Sequence, residues 1–316
     1  MTKQTISGTL VIGLCLLGLL PAGCGEETPE KDRTGKPRIA LIMKSLANEF
    51  FKTMADGARA HQKAHAQTYD LICNGIKDEK DVAKQISLVE QMIAREVDAI
   101  VIAPADSQAL IPVCKKAQAA GIVVVNIDNK FDAAVLDDKN VRIPFVGPDN
   151  RRGARLAGEH LAKKLQAGDE VAIIEGAPNA FNGVQRKLGF QDAMKAAGMK
   201  IVSSQTGHWE SAPAERIVSG IVGEHPKIKA ILCANDSMAL GAVAALKSAD
   251  KLGEILVIGY DNISAVQGLI KGGKVLCTID QYADRIATNG IEFALMVLGA
   301  TERETPVTLI TGDDLK

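Results

Sequence analysis

From residue 38 onward, short runs of Val, Ile and Leu alternate with amphipathic stretches of helical period. This alternation constrains the fold more than any other feature. The candidate strands are RIALIM (38–43), YDLICN (69–74), AIVIAP (99–104), IVVVNI (122–127), PFVGPD (144–149), EVAIIEG (170–176), IVSSQT (201–206), AILCAN (230–235), LVIGYD (256–261) and VLCTID (275–280). Several are nearly unbroken β-branched runs, the mark of strands buried on both faces in a parallel sheet. Between them the spacing predicts helices. Phe51, Met54 and Ala58 share one face of residues 49–64, and Leu110, Val113 and Ala117 one face of 108–119. Leu156, His160 and Lys164 share a face of the next helix with Leu161 and Leu165 beside it, Ile217, Ile221 and Val222 follow, and Ile286, Gly290, Phe293 and Val297 mark a last helix at 283–298. Repeated strand–helix units give right-handed crossovers and a doubly wound α/β architecture. The strands are too many for one comfortable sheet, and the series restarts near residue 149. The expected fold is two doubly wound parallel-sheet lobes with a hinged cleft, joined by short crossings that act as hinges.

The first 30 residues, MTKQTISGTLVIGLCLLGLLPAGCGEETPE, belong to a different regime. Lys3 precedes an apolar stretch from about Thr9 to Leu20, too short for a membrane span, and then PAGC. This is similar to a bacterial lipoprotein signal ending at a lipidated Cys24, although Pro21 stands where Leu is usual. Residues 25–36 read as a polar, flexible tether. Four cysteines remain beyond them: Cys73, Cys114, Cys233 and Cys277. They form no C-x-x-C pair and no Cys/His cluster of metal spacing, so they read as buried free thiols whose pairing the spacing does not assign. The formal net charge is −1, with both signs interspersed, which excludes a nucleic-acid footprint.

In open α/β sheets, ligands bind outside the carboxyl ends of the strands. Following that edge collects Asn48-Glu49-Phe50-Phe51, Asp106-Ser107, Asp128-Asn129, the segment APNAFNGVQR, His208-Trp209-Glu210, Asn235-Asp236, Tyr260-Asp261 and Asp280-Gln281. Asp106, Ser107 and Asp236 read as helix caps, whereas Asp128, Asn235 and Asp261, taken singly, fit a cap and a ligand contact equally. The pair Phe50-Phe51 is conspicuous in a chain with seven Phe, three Tyr and one Trp. Phe51 falls on the apolar face of its helix, whereas Phe50 points off it and is the better candidate for a stacking ring. Aromatic faces beside carboxylates and amides, with little net charge, suit a neutral polyhydroxylated ligand.

The segments ANEFFKTMADGARA, VVVNIDN, PDNRRGARLAGEHLAKKL, QRKLGFQDAM, HPKIKAILCANDSMALGAVAALK, VIGYDN and TIDQYAD together resemble the periplasmic sugar-binding proteins of the ribose-binding type, over essentially all of 37–316. These proteins serve ATP-driven importers and share a fold with LacI-type ligand domains. The resemblance implies a type I periplasmic binding protein fold. Its lobes would be 37–147 with 282–310, and 148–281 with 311–316. It implies ligand contacts from Asn48, Phe50, Phe51, Asp128, Asn129, Trp209, Asn235, Tyr260, Asp261 and Gln281, with Asp106, Phe181, Asn182 and Arg186 at the margin of the site. Two positions depart from the ribose binders. Asn129 replaces an arginine, and Val184 is aligned with a ligand-binding arginine, leaving Arg186 to match a more structural one. Phe181, Asn182 and Gln185 then take over part of the site, and ribose gives way to a wider set of pentoses, hexoses and sugar alcohols.

The expected function is that of a substrate-binding lipoprotein of an ABC transporter. It would bind a neutral monosaccharide or sugar alcohol between the lobes and deliver it to a permease and its ATPase. The alternative is an extracytoplasmic sensor that presents the bound sugar to a signalling receptor. Either reading makes the chain a monomer outside the cytoplasm, held to a membrane by its lipid and using no cofactor or metal. No G-x-S-x-G elbow, P-loop or G-x-G-x-x-G after a strand is present, so an enzyme is not expected.

Overall fold

A computed structural model describes residues 35–299. The expected lipidation at Cys24, most of the tether and the assignments of 300–310 and 311–316 lie outside the described residues. The chain runs β1 (Arg38–Ser45), α1 (Glu49–Ala64), β2 (Asp70–Ile76), α2 (Val82–Ala94), β3 (Ala99–Ile102), α3 (Ile111–Ala119), β4 (Val123–Ile127), α4 (Ala133–Asp138) and β5 (Phe145–Val146). It continues with α5 (Asn150–Ala162), β6 (Glu170–Glu175), α6 (Phe181–Ala196), β7 (Lys200–Thr206), α7 (Ser211–Glu224), β8 (Ile228–Cys233), α8 (Asp236–Ser248), β9 (Leu256–Ile258), α9 (Ser264–Lys271) and α10 (Ala283–Leu298).

Two parallel sheets result. The first has the order β2-β1-β3-β4-β5 and the second β7-β6-β8-β9. Ile39 pairs with Leu71 on one side and Ala99 on the other; Val171 pairs with Ile201 and Ala230. Both orders reverse direction beside their first strand, which opens a crevice at the carboxyl edge. The first sheet is buried on both faces. Ile39, Leu41, Val101 and Ile127 pack toward α1 and α10, while Ala40, Ile42, Ile100 and Val124 pack toward α2 and α3. Each such Val, Leu or Ile contributes roughly 1.5–3 kcal/mol by leaving water. Thus α10 covers the first sheet although it follows the whole second one in sequence, and Gly290 lets it approach Ile127 and Val101 closely.

Several expectations need correction. Residues 275–280 form no strand: a lone bridge joins Cys277 to Ile258, and hydrogen bonds from Leu276 to Val257 and from Gly259 to Cys277 carry the segment along β9. The run 144–149 contributes only Phe145 and Val146 to the sheet, because the chain turns away through Gly147 and Pro148. The helix expected at 108–119 begins at Ile111, since Asp106 Oδ1 holds Gln108 and Ala109 in a turn before it. Asp236 is not the cap of α8; Asn235 is, accepting from the Met238 amide. On α5 the face containing Leu156 points outward, with Leu156 52% exposed. The buried face carries Ala154, Ala157, Gly158 and Leu161. Small residues win there because α6 lies close: a Cβ at Gly158 would meet Ala193, and one at Gly189 would meet the Arg151 carbonyl.

Candidate functional site

The carboxyl edges of the two sheets face each other across a cleft lined by Lys44, Asn48, Phe50, Phe51, Glu79, Asp128, Asn182, Arg186, Trp209, Asn235, Asp261 and Gln281. On the first wall Asn48 caps α1. Its Oδ1 accepts from the Phe50 amide at 3.1 Å and its Nδ2 donates to Glu79 Oε1 at 3.2 Å. Phe50 and Phe51 stand edge to face, with ring centroids 5.1 Å apart. Both are 3% exposed, so Phe50 is buried as fully as Phe51 rather than standing off the packed face. Lys44 Nζ lies 3.4 Å from Asp128 Oδ2 and 3.7 Å from Glu79 Oε2, and it sits over the rings of Phe51 and Trp209 at 5.5 and 5.4 Å. Burial pushes the Glu79 carboxyl up, against the pull of Lys44.

Arg186 organises the opposite wall. Its Nε donates to Asn150 Oδ1 at 2.8 Å, and its Nη1 donates to the Ala234 carbonyl at 2.9 Å and to Asp261 Oδ1 at 3.3 Å. The guanidinium lies 3.8 Å from the Tyr260 ring centroid and 5.5 Å from that of Trp209. Such a planar cation between rings is held by stacking as well as by charge. Gln281 Nε2 donates to Asp261 Oδ1 at 2.6 Å where the chain returns to the first lobe. Burial pushes the Asp261 carboxyl well above the usual carboxylate range, and Arg186 offsets only part of this. Trp209 is seated by glycines: a Cβ at Gly176 would run into its ring, and one at Gly183 would crowd it. Asn235 caps α8 and donates to the Trp209 carbonyl at 3.2 Å.

The backbone is unusual at this edge. Asp128, His208, Trp209, Asp261, Asn262 and Tyr282 have φ of 59, 52, 70, 123, 59 and 54°. Non-glycine residues in this region are strained, and the surrounding packing must hold them there.

The sequence-derived candidates thus divide. Asn48, Phe50, Phe51, Asp128, Trp209, Asn235, Asp261 and Gln281 come together, joined by Asn182 and Arg186 from the margin of the expected set. Asn129 does not line the cleft; its Nδ2 donates to the Pro104 carbonyl and its Oδ1 accepts from the Asn182 amide. Tyr260 stacks on Arg186 and does not line the cleft. Asp106 and Phe181 line a separate groove at the lip, with Gln108, Asp132, Asn179 and Val184. Val184, aligned with a ligand arginine, is 40% exposed on the rim, whereas Arg186 is buried in the cleft. Asn182 and Arg186 are four residues apart on α6 and therefore share its face, a spacing that sequence alone could have used. Lys44 and Glu79 were not anticipated. Both follow the same strand-end rule, Lys44 within the last two residues of β1 and Glu79 just beyond β2.

Two buried acceptors, Asp128 Oδ2 and Gln281 Oε1, accept no hydrogen bond, Asp128 Oδ2 having only its ion pair with Lys44. Buried polar atoms are nearly always paired, so acceptors left open in a lined cleft ask for donors from outside.

The four cysteines are free, Cys114 and Cys233 buried and Cys73 and Cys277 half-buried. Among the described residues no helix is long and apolar enough to cross a membrane, and no His/Cys/Asp/Glu group has the geometry of a metal site.

Comparison with known proteins gives a consistent result. A protein called "D-ribose/D-allose-binding protein" from Pseudomonas aeruginosa is 55% identical over 98% of both chains. A solved ABC transporter solute-binding protein from Burkholderia multivorans, with an unknown ligand represented as alpha-D-erythrofuranose, is 57% identical with a TM-score of 0.83, over 88% of this chain and all of that one. An ABC transporter periplasmic solute-binding protein from Actinobacillus succinogenes with bound D-allose is 38% identical with a TM-score of 0.79, over 85% of this chain and 94% of that one. The profile described as "Periplasmic binding protein domain" matches residues 39–302. The resemblance to the ribose-binding type therefore holds, and the chain belongs to the periplasmic binding protein domain family.

Proposed function

We propose that this chain binds a neutral aldose of the ribose or allose kind in the cleft, as the substrate-binding lipoprotein of an ATP-driven importer. The observation that carries the reading is the pair of buried acceptors that accept no hydrogen bond, Gln281 Oε1 and the Lys44-paired Asp128 Oδ2, set among aromatic faces. Sugar hydroxyls donate to such acceptors while their ring faces pack on Phe50 or Phe51 and on Trp209. Lys44 and Arg186 add donors, and Asn48, Glu79, Asn182, Asn235 and Asp261 complete the polar lining. The P. aeruginosa relative named for ribose and allose and the allose-bound solved structure support this ligand class. Anchoring through Cys24 and delivery to a permease belong to the same reading, resting on the PAGC segment and on the solved relatives' description as ABC transporter proteins.

A thermal-shift screen of the chain from Lys36 onward against monosaccharides and polyols tests the proposal. D-ribose or D-allose is expected to raise Tm by mass action. If no carbohydrate raises it while another metabolite class does, the sugar reading is wrong.

A further inference from the structure

The first four amides of a helix have no partner within it, and a Ser, Thr, Asp or Asn at the N-cap normally serves one of them. Three helices of the second lobe have no such residue: the N-caps of α6, α7 and α9 are Ala180, Glu210 and Ile263, and none makes a side-chain cap. At α6 and α9 the amides are nonetheless served, and the caps come from the first lobe. Phe181 N–H donates to Ser107 Oγ at 2.8 Å, and Asn182 N–H donates to Asn129 Oδ1 at 3.1 Å. At α9, Ser264 N–H donates to Glu49 Oε1 at 2.8 Å, across 215 residues of sequence. Ser107 and Asn129 are buried at the seam, where Asn179 also donates to Asp106 Oδ2 at 2.6 Å. In the first lobe, α1, α2 and α4 are capped by their own Asn48, Asp81 and Asp132, while α3 and α10 carry no side-chain cap.

We propose that Ser107, Asn129 and Glu49 are positioning residues that hold the lobes closed by capping α6 and α9 of the opposite lobe. The inference rests on the binding role proposed above, but none of the three lines the cleft. When the lobes part, these caps are lost to water, so their strength appears in the lifetime of the closed form. Asn182, capped by Asn129, faces the ligand space and transmits the contact to the site.

The test uses the purified full-length chain with D-ribose and D-allose as probes. Ser107→Ala and Glu49→Ala are each expected to raise the sugar off-rate about fivefold, and the double variant about 25-fold, from the usual worth of a cap. On-rates and the sugar-free Tm stay unchanged. Glu49→Gln keeps an oxygen acceptor and restores the wild-type off-rate. Unchanged off-rates, or a sugar-free Tm that falls with them, overturn the proposal. Single-molecule energy transfer between dyes on the exposed positions 115 and 195 separates this outcome from failure of the sugar reading. If wild type binds neither sugar, the functional reading fails. The caps are then judged on sugar-free molecules, whose closed fraction falls in the double variant if the caps hold the lobes and stays the same if they do not.

Discussion

Asp128→Asn separates the charge of the cleft from its shape. Asp128 adopts a left-handed backbone conformation, φ 59°, which asparagine tolerates as well as aspartate does. The side chain keeps its volume, and its carbonyl oxygen can still face Lys44, 3.4 Å away in the parent. What disappears is the negative charge of Oδ2, which accepts no hydrogen bond in the native cleft and is ion-paired with Lys44. Hydrogen bonds to charged groups contribute about 1.5–3 kcal/mol, so sugar affinity should fall roughly 10- to 150-fold. Consider a sugar at a thousand times its Kd, where binding adds about 4.1 kcal/mol of stability. A hundredfold loss leaves the sugar at ten times Kd and the gain at about 1.4 kcal/mol. The fold should lose some stability, because buried Lys44 gives up one of its two carboxylates and keeps only Glu79, 3.7 Å away. Calorimetry should therefore show weak binding, and thermal unfolding a lowered sugar-free Tm together with a much smaller sugar-induced rise. A variant that binds within twofold of wild type would refute the role given to this carboxylate.

Other outcomes follow from neighbouring residues. Gly176→Ala places a methyl group where the Trp209 ring lies and should abolish the sugar-induced Tm rise while leaving the circular dichroism spectrum intact. Arg186→Met leaves buried Asp261 without its cation and should cost about 3–5 kcal/mol, measured by denaturant unfolding. Burial raises Asp236 to about 6, and also raises Asp261 and Glu79. The native chain therefore holds protons that the unfolded chain has released, and stability should increase as pH falls through about 6. Asp236→Asn should remove that group's share of the rise, read by denaturant unfolding at pH ~7.5 and ~5.5.

Much of this was legible because burial on both sheet faces demands unbroken apolar strands, and β1, β3, β6 and β8 supply them. Residues 275–280 misled because an edge segment can be as apolar as a strand while bridging β9 at a single residue. The exposed face of α5 misled for the opposite reason: its packing against α6 depends on alanine and glycine, which carry little hydropathy signal. In the site, strand-end position located Asp128, Asn235, Asp261 and Gln281, but it could not tell lining from support. Asn129 and Tyr260 sit at the right edge and serve as scaffolding, a distinction set by side-chain direction. Lys44 escaped notice because a lysine at the end of an apolar run reads as the strand emerging into solvent, whereas here two carboxylates and two rings enclose it.

The position of α10 has a consequence for how the molecule is made. Every strand and helix of the second sheet lies in one continuous stretch, so that half can collapse as soon as its own residues are present. The first sheet cannot. Its face at Val101 and Ile127 waits for Gly290 and its neighbours, which arrive only after the entire second half has been synthesised. Contacts of such sequence separation form slowly, because a long loop must close before they are rewarded. The nascent chain therefore carries an uncovered apolar sheet through most of its synthesis and stays open longest in the half that appears first, a state suited to capture by chaperones before folding is complete.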